Sequence, residues 1–211
     1  MNHWSPRPLC LLMNPPPAAR DTIGSMPAPA SSARKMTYDQ LCLLPEDRQR
    51  HELFNGELVM TPSPSHRHQA VVLRLAMALE SYVKTHALGR VYVAPLDILF
   101  EPHTVLQPDV LFIRQDRLGI LGEEVVEGAP DLVVEVLSPS TFYNDLRRKM
   151  AAYARFGVQE YWIVDPEKQA VELYSLAGDQ LRLQRSFSAG DTLESPLLPG
   201  LRLPVRSLFE S

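Results

Sequence analysis

Residues 63–89, SPSHRHQAVVLRLAMALESYVKTHALG, repeat their apolar positions at helical spacing. Val72, Leu75, Ala76, Leu79 and Val83 share one face and Gly89 stands just past the end, which predicts an amphipathic helix. Ahead of it, RHELFNGELVMTP (50–62) reads as two short alternating runs around Asn55-Gly56, the dipeptide that suits a two-residue hairpin turn. Such a turn sets Phe54 opposite Glu57 and Glu52 opposite Val59, so Glu52 and Glu57 lie on one face as diagonal neighbours. Three strand-like runs follow the helix: RVYVAPLDILF (90–100), VLQPDVLFI (105–113) and PDLVVEVLS (130–138). The third is apolar on both faces, as expected of a central strand covered by helices.

Residues 140–156, STFYNDLRRKMAAYARF, predict a helix capped by Ser140 or Thr141 and stopped by Gly157. QEYWIVD (159–165) then returns as a strand, and a helix between two buried strands predicts a parallel crossover. AVELYSL, QLRLQRSF and PLLPGLRLPV read as a meander of edge strands. At the other end, MTYDQLCLLPED opens with Thr37 placed to cap a short helix. No internal repeat is present. The expected fold is α/β: a central mixed sheet flanked by helices, with an N-terminal hairpin and a C-terminal β-meander. Residues 1–35 are rich in Pro, Ala and Ser without apolar period, so they are expected to be a disordered extension, with Met36 or Met26 as the true initiator. Residues 36–211 are expected to form a single domain.

Composition narrows the function classes. No apolar run approaches the roughly 20 residues that cross a bilayer, and PLCLLM is too short for a signal-peptide core. A cytoplasmic protein without membrane contact is therefore expected. Two cysteines, Cys10 and Cys42, favour neither a disulfide framework nor a zinc cluster. The formal net charge is −4; residues 1–35 hold four of the 21 basic and one of the 25 acidic residues. The remainder is therefore acidic by about seven, which argues against a general basic grip on nucleic acid. An acidic site loaded with metal ions would still attract phosphates.

Two lone acids stand out within apolar runs: Asp109 in QPDV and Glu135 in LVVEVL. Pro108 cannot donate to a ladder, so its strand is distorted or unpaired where Asp109 projects. If the two strands are neighbours, two carboxylates face each other in a partly dry setting. Both can ionise there only with a cation between them. A hard divalent ion, Mg²⁺ or Mn²⁺, fits oxygen ligands of this kind. Lys149 shares a helix face with Asp145 and Tyr153 and can lean back over the end of the Glu135 strand. An ammonium there could orient a water or offset charge developing on a phosphate. Together they suggest phosphodiester hydrolysis.

The ordered set MTYDQLCLLPED, HELFNGELVMTPSPSHRHQ, LQPDVLFI, APDLVVEVLSPST, YARFGVQEYWIVDP and LLPGLRL resembles the Uma-two-type proposed endonucleases of the PD-(D/E)XK nuclease superfamily. The resemblance spans about residues 36–210. It implies a restriction-endonuclease-like fold and a Mg²⁺-dependent nuclease site. Asp109 matches the motif aspartate and Glu135 the second acid. The superfamily pattern expects a lysine two residues further on, where this chain has Leu137. In the family the lysine moves to the following helix, which points to Lys149. Glu52 matches a further acidic position that would complete the metal shell with Asp109 and Glu135.

Each of these residues also has an ordinary explanation. Asp109 and Glu135 could be satisfied by backbone amides or an arginine, and Lys149 could pair with Asp145 on the surface. Glu52 and Glu57 could be the polar face of a hairpin. Asp97 is a weaker ligand candidate. His66 and His68 lack a third soft ligand and read as helix-start residues near the rim, which Gln69 could also reach. Tyr153 is core or a hydrogen-bond partner of the site, and Tyr161 and Trp162 are core. The leading expectation is a metal-dependent endonuclease acting on nucleic acid, DNA first, in which symmetric double-strand cleavage would favour a homodimer. The alternative is a catalytically inactive nuclease-like fold that binds nucleic acid or protein. An enzyme needs Asp109, Glu135 and Lys149 convergent and open to solvent, whereas a binding module would keep its acids buried and paired.

Overall fold

The computed structural model describes residues 35–45, 47, 49–61, 63–138 and 143–210, the side chains of 143–145 excepted. The expected N-terminal extension, apart from Lys35, and the helix cap at Ser140 or Thr141 lie outside these residues. Thr37 caps α1 (Tyr38–Cys42): its hydroxyl accepts from the Gln40 amide while the Gln40 side chain accepts from the Thr37 amide. This reciprocal box satisfies two amides that the helix start leaves without partners. Next come β1 (Arg50–Phe54) and β2 (Glu57–Thr61), in the expected register, with Phe54 opposite Glu57 and Glu52 opposite Val59. Asn55 (φ 52°) and Gly56 (φ 83°) both adopt the left-handed conformation that a two-residue turn demands.

Ser65 caps α2 (His66–Thr85), which buries His68, Val71, Val72, Leu75, Leu79 and Val83 along one stripe. Each apolar side chain in that stripe contributes on the order of 1.5–3 kcal/mol by leaving water. There follow β3 (Gly89–Val93), β4 (Asp97–Glu101), β5 (Thr104–Leu106), β6 (Val110–Arg114), β7 (Val125–Glu127) and β8 (Leu132–Val136). Then come α3 (Tyr143–Phe156), β9 (Glu160–Asp165), β10 (Ala170–Ala177) and β11 (Gln180–Ser188). The strands form a six-stranded sheet in the order β11-β10-β9-β8-β6-β3 and a five-stranded sheet in the order β2-β1-β5-β4-β7. Both are mixed: β8 and β9 run parallel across the α3 crossover, as expected, and β4 runs parallel to β7.

Two runs that read as single strands are divided between the sheets. RVYVAPLDILF gives β3 to the six-stranded sheet and β4 to the other, broken at the cis bond Ala94-Pro95. VLQPDVLFI gives β5 to the five-stranded sheet and β6 to the other, with residues 107–109 as the crossing. A proline has no amide to donate, so each break falls where the chain leaves one ladder for the next. The expected C-terminal meander runs antiparallel from β9 through β10 to β11. The strands β10 and β11 extend the central sheet, while PLLPGLRLPV contributes only Leu203–Pro204, paired with Thr192–Leu193.

The six-stranded sheet is covered on both faces, so β8 is buried throughout. Leu132, Val134 and Val136 pack in the cluster that includes α2, and Val133 in the cluster shared by α3 and the five-stranded sheet. Alternation along the strand assigns Glu135 to the second face, within reach of Lys149 and Tyr153 of α3.

Candidate functional site

Asp109 and Glu135 are brought together because β6 and β8 are neighbours, with Val110 opposite Val134. Asp109 sits at the crossing from β5 to β6, free of a ladder, and its carboxylate is held from two sides. Both terminal nitrogens of Arg50 reach Oδ1 at 3.0 Å. Oδ2 accepts from the Val136 amide at 2.8 Å and lies 3.0 Å from His68 Nε2. A carboxylate only accepts, so the proton between them is assigned to Nε2. His68 Nδ1 is then left buried without a hydrogen-bond partner among the described residues. Arg50 also donates to the Gln107 carbonyl at 3.2 Å.

Lys149 and Tyr153 extend from one face of α3 toward the same point. Lys149 Nζ lies 3.0 Å from Glu135 Oε1 and 2.9 Å from Glu52 Oε1. Tyr153 donates its hydroxyl proton to Glu135 Oε1 at 2.8 Å. The Gln107 amide donates to Glu52 Oε1 at 2.8 Å, while Glu52 Oε2 is buried and has no hydrogen-bond partner among the described residues. All four expected site residues therefore converge, and all are enclosed: Glu52 is 0%, Asp109 2%, Glu135 6% and Lys149 4% exposed. The surface pair with Asp145 falls on a side chain outside the described residues. Lys149 is instead a buried ammonium between carboxylates from β1 and β8.

Burial pushes the Glu135 carboxyl up to about 7; Lys149 opposes the rise, and the nearby Asp109 and Glu52 add to it. Burial also works to raise Asp109, but the hydrogen bond from His68 and the charge of Arg50 outweigh it and hold that carboxyl below its usual range. Burial disfavours the Lys149 ammonium, and the charges of Glu135 and Glu52 more than compensate, so the lysine stays charged. Burial, and then the charge of Glu135, lift the Tyr153 phenol well above its ordinary value, so it serves as a donor. At Glu135, burial thus outweighs the stabilising charge of Lys149.

The remaining expected residues lie elsewhere. Glu57 pairs with Arg148 on the surface at 2.7 Å, and Asp97 accepts from the Gln107 side chain. His66 and Gln69 are exposed, while Tyr161 and Trp162 are core. Burial alone does not mark a site. Asp131, 1% exposed, is satisfied by the Arg114 amide and by Arg117. Glu160 accepts from Trp162, Ser195 and the Leu197 amide. The residue missed in the sequence is Arg50, and His68, expected only near the rim, is buried against Asp109. His68 had a signal, since it falls three and four positions before Val71 and Val72 on the buried stripe of α2. Arg50 carried none.

Among the described residues, no three His, Cys, Asp or Glu side chains stand together in an arrangement that holds a metal ion. Lys149 meets Glu52, so the three expected carboxylates do not form a closed cage. Asp109 and Glu135 nevertheless offer hard oxygen donors from neighbouring strands. That suits Mg²⁺, which binds through one or two carboxylates and keeps several waters. The donor chemistry fits a divalent ion; a dedicated all-protein shell is absent.

Comparison with known proteins bears on the family and the fold. Residues 36–206 match the Uma2 family, described as "Putative restriction endonuclease". An uncharacterized protein of Synechocystis is 24% identical over 134 residues, covering 63% of this chain and 75% of its own. A crystal structure from Anabaena variabilis, titled as that of a putative nuclease belonging to DUF820, superposes with a TM-score of 0.70 at 23% identity. It covers 82% of this chain and 97% of its own, a likeness of fold.

Proposed function

This chain belongs to the Uma2 family, and from that premise we propose that it is a divalent-metal-dependent endonuclease hydrolysing phosphodiester bonds of nucleic acid, DNA in the first instance. The observation that carries the reading is the convergence of Asp109, Glu135 and Lys149 at the point where the chain crosses between sheets. Asp109 and Glu135 would hold the ion, and Glu52 would anchor Lys149. Mg²⁺ or Mn²⁺, when bound, supplies Lewis-acid polarisation of a phosphoryl oxygen and lowers the pKa of a water. Lys149, fixed between two carboxylates, holds its proton and charge where negative charge develops on the phosphate. Tyr153 fixes the Glu135 oxygen that faces Lys149, and the Val136 amide and His68 fix Asp109 through Oδ2. Enclosure of the cluster strengthens each of these interactions by excluding bulk water.

One observation favours a second reading, a nuclease-like fold that binds nucleic acid or protein without cutting. The acids are buried and already paired with cations of the chain itself. Supercoiled plasmid incubated with Mg²⁺, with Mn²⁺ and with EDTA separates the two. Metal-dependent nicking that falls by at least about 100-fold in Asp109→Asn and Glu135→Gln supports the enzyme. Folded wild-type protein that cuts neither DNA nor RNA and binds no Mn²⁺ rejects it in favour of the binding module.

A further inference from the structure

Within the cluster, the two oxygens of Asp109 are treated differently. Oδ2 is engaged by the Val136 amide and His68, both part of the buried frame. Oδ1 faces Arg50, whose two terminal nitrogens both lie 3.0 Å away. The Arg50 side chain is 18% exposed, against 5% for Lys149 and 7% for His68. It stands at the first residue of β1. Its other hydrogen bond goes to the Gln107 carbonyl, whereas Lys149 is locked between two carboxylates. Arg50 also feels the charges of Glu135 and Glu52. Two fixed cations nearly balance the three carboxylates, so a divalent ion gains little unless one cation leaves. Arg50 can leave most easily, because its side chain is the most exposed of the three.

We propose that Arg50 is the resident counter-ion of the metal position, holding Asp109 Oδ1 in the metal-free protein and withdrawing from it when a divalent ion binds. This rests on the metal-dependent reading above.

Calorimetric titration of the full chain with Mn²⁺ tests it in wild type, Arg50→Gln and Asp109→Asn. The expected result is affinity at least about tenfold tighter in Arg50→Gln and lost in Asp109→Asn. If wild type binds Mn²⁺ and Arg50→Gln binds it equally or more weakly, the role of Arg50 is overturned and the metal site stands. If neither binds at millimolar Mn²⁺, the metal-dependent reading fails and takes this proposal with it. A measurement on wild type decides if Arg50→Gln does not fold. Phenylglyoxal modification of Arg50, read by peptide mass spectrometry, should rise several-fold on adding Mn²⁺. An unchanged or reduced rate overturns the proposal.

Discussion

Lys149→Met removes one charge from the cluster while keeping a side chain of similar length in the core. Lys149 lies 2.9 Å from Glu52 and 3.0 Å from Glu135, and its side chain is 5% exposed. At an effective dielectric constant of about 20, each contact has a gross Coulomb energy of roughly 5–6 kcal/mol. Desolvation of the three groups cancels much of that sum. What the substitution exposes is the cost of leaving buried carboxylates without their cation, about 3–5 kcal/mol. That cost depends on pH. Glu135 already titrates at about 7 with Lys149 present, and without it the folded-state value rises further. A carboxyl raised in the folded state contributes its stability below its unfolded value of about 4.3, and loses it as pH rises through the folded value. The variant should therefore unfold in urea with a deficit of about 3–5 kcal/mol at pH 8 in EDTA. At pH 5.5, where Glu135 is protonated, the deficit should shrink by at least about 1 kcal/mol. A cooperative transition with a deficit under about 1 kcal/mol, or one identical at both pH values, would refute the assignment of Lys149 as counter-ion. The same experiment guards the activity assay, since lost nicking in a partly unfolded variant says nothing about catalysis.

Tyr153→Phe removes the hydroxyl that donates to Glu135 Oε1, and should cost about 1–3 kcal/mol in urea unfolding at pH 8; no loss would show that Lys149 alone satisfies that oxygen. The wild type in EDTA should itself lose stability as pH is raised through about 7, because the raised Glu135 carboxyl gives up its proton there; a midpoint that climbs across this range contradicts the assignment. Glu160→Ala takes away the acceptor shared by Trp162, Ser195 and the Leu197 amide. It should cost about 2–4 kcal/mol and speed hydrogen exchange at Leu197 and Leu198 while leaving the amides of β8 protected. Gly56→Ala places a side chain at φ 83° and against Lys35, so the hairpin should lose about 1–2 kcal/mol, seen as a lower thermal midpoint.

Local chemistry made much of this fold readable. Asn55-Gly56 fixed the register that places Glu52, because only such a pair accepts two successive positive φ angles cheaply. The 140–156 helix between apolar runs implied the crossover that sets β8 beside β9. Asp109 and Glu135 were visible as lone charges in apolar runs, and Pro108 marked the break beside one of them. What stayed hidden depends on pairing between distant segments. Pro95 breaks its run as Pro108 does, yet nothing local says that β3 and β4 then join different sheets. Lys149 could be placed near Glu135 but not between Glu135 and Glu52, since that needs β1 to pack against α3. Arg50 is silent for the same reason: a charged residue at the start of a strand looks solvated until the fold closes on it.

These hidden contacts all concern which cation neutralises which buried acid, and here physical chemistry goes further than the sequence pattern. Three carboxylates gathered at a sheet crossing cannot be tolerated as unpaired charges. The chain supplies Lys149 and Arg50 of its own, and Glu135 still sits near neutrality in its titration. Lys149 is the cation the fold cannot release, because α3 carries it into the space between β1 and β8. On the proposal above, Arg50 is the one it can, because that side chain is tied to the crossing by one carboxylate and one carbonyl and is 18% exposed. The same set of residues therefore accounts for acids that are buried and paired without metal and for a position that a divalent ion can enter. If Arg50 yields to the ion as proposed, pairing of the acids in the metal-free state is compatible with catalysis; that exchange is the step on which the two readings of this protein separate.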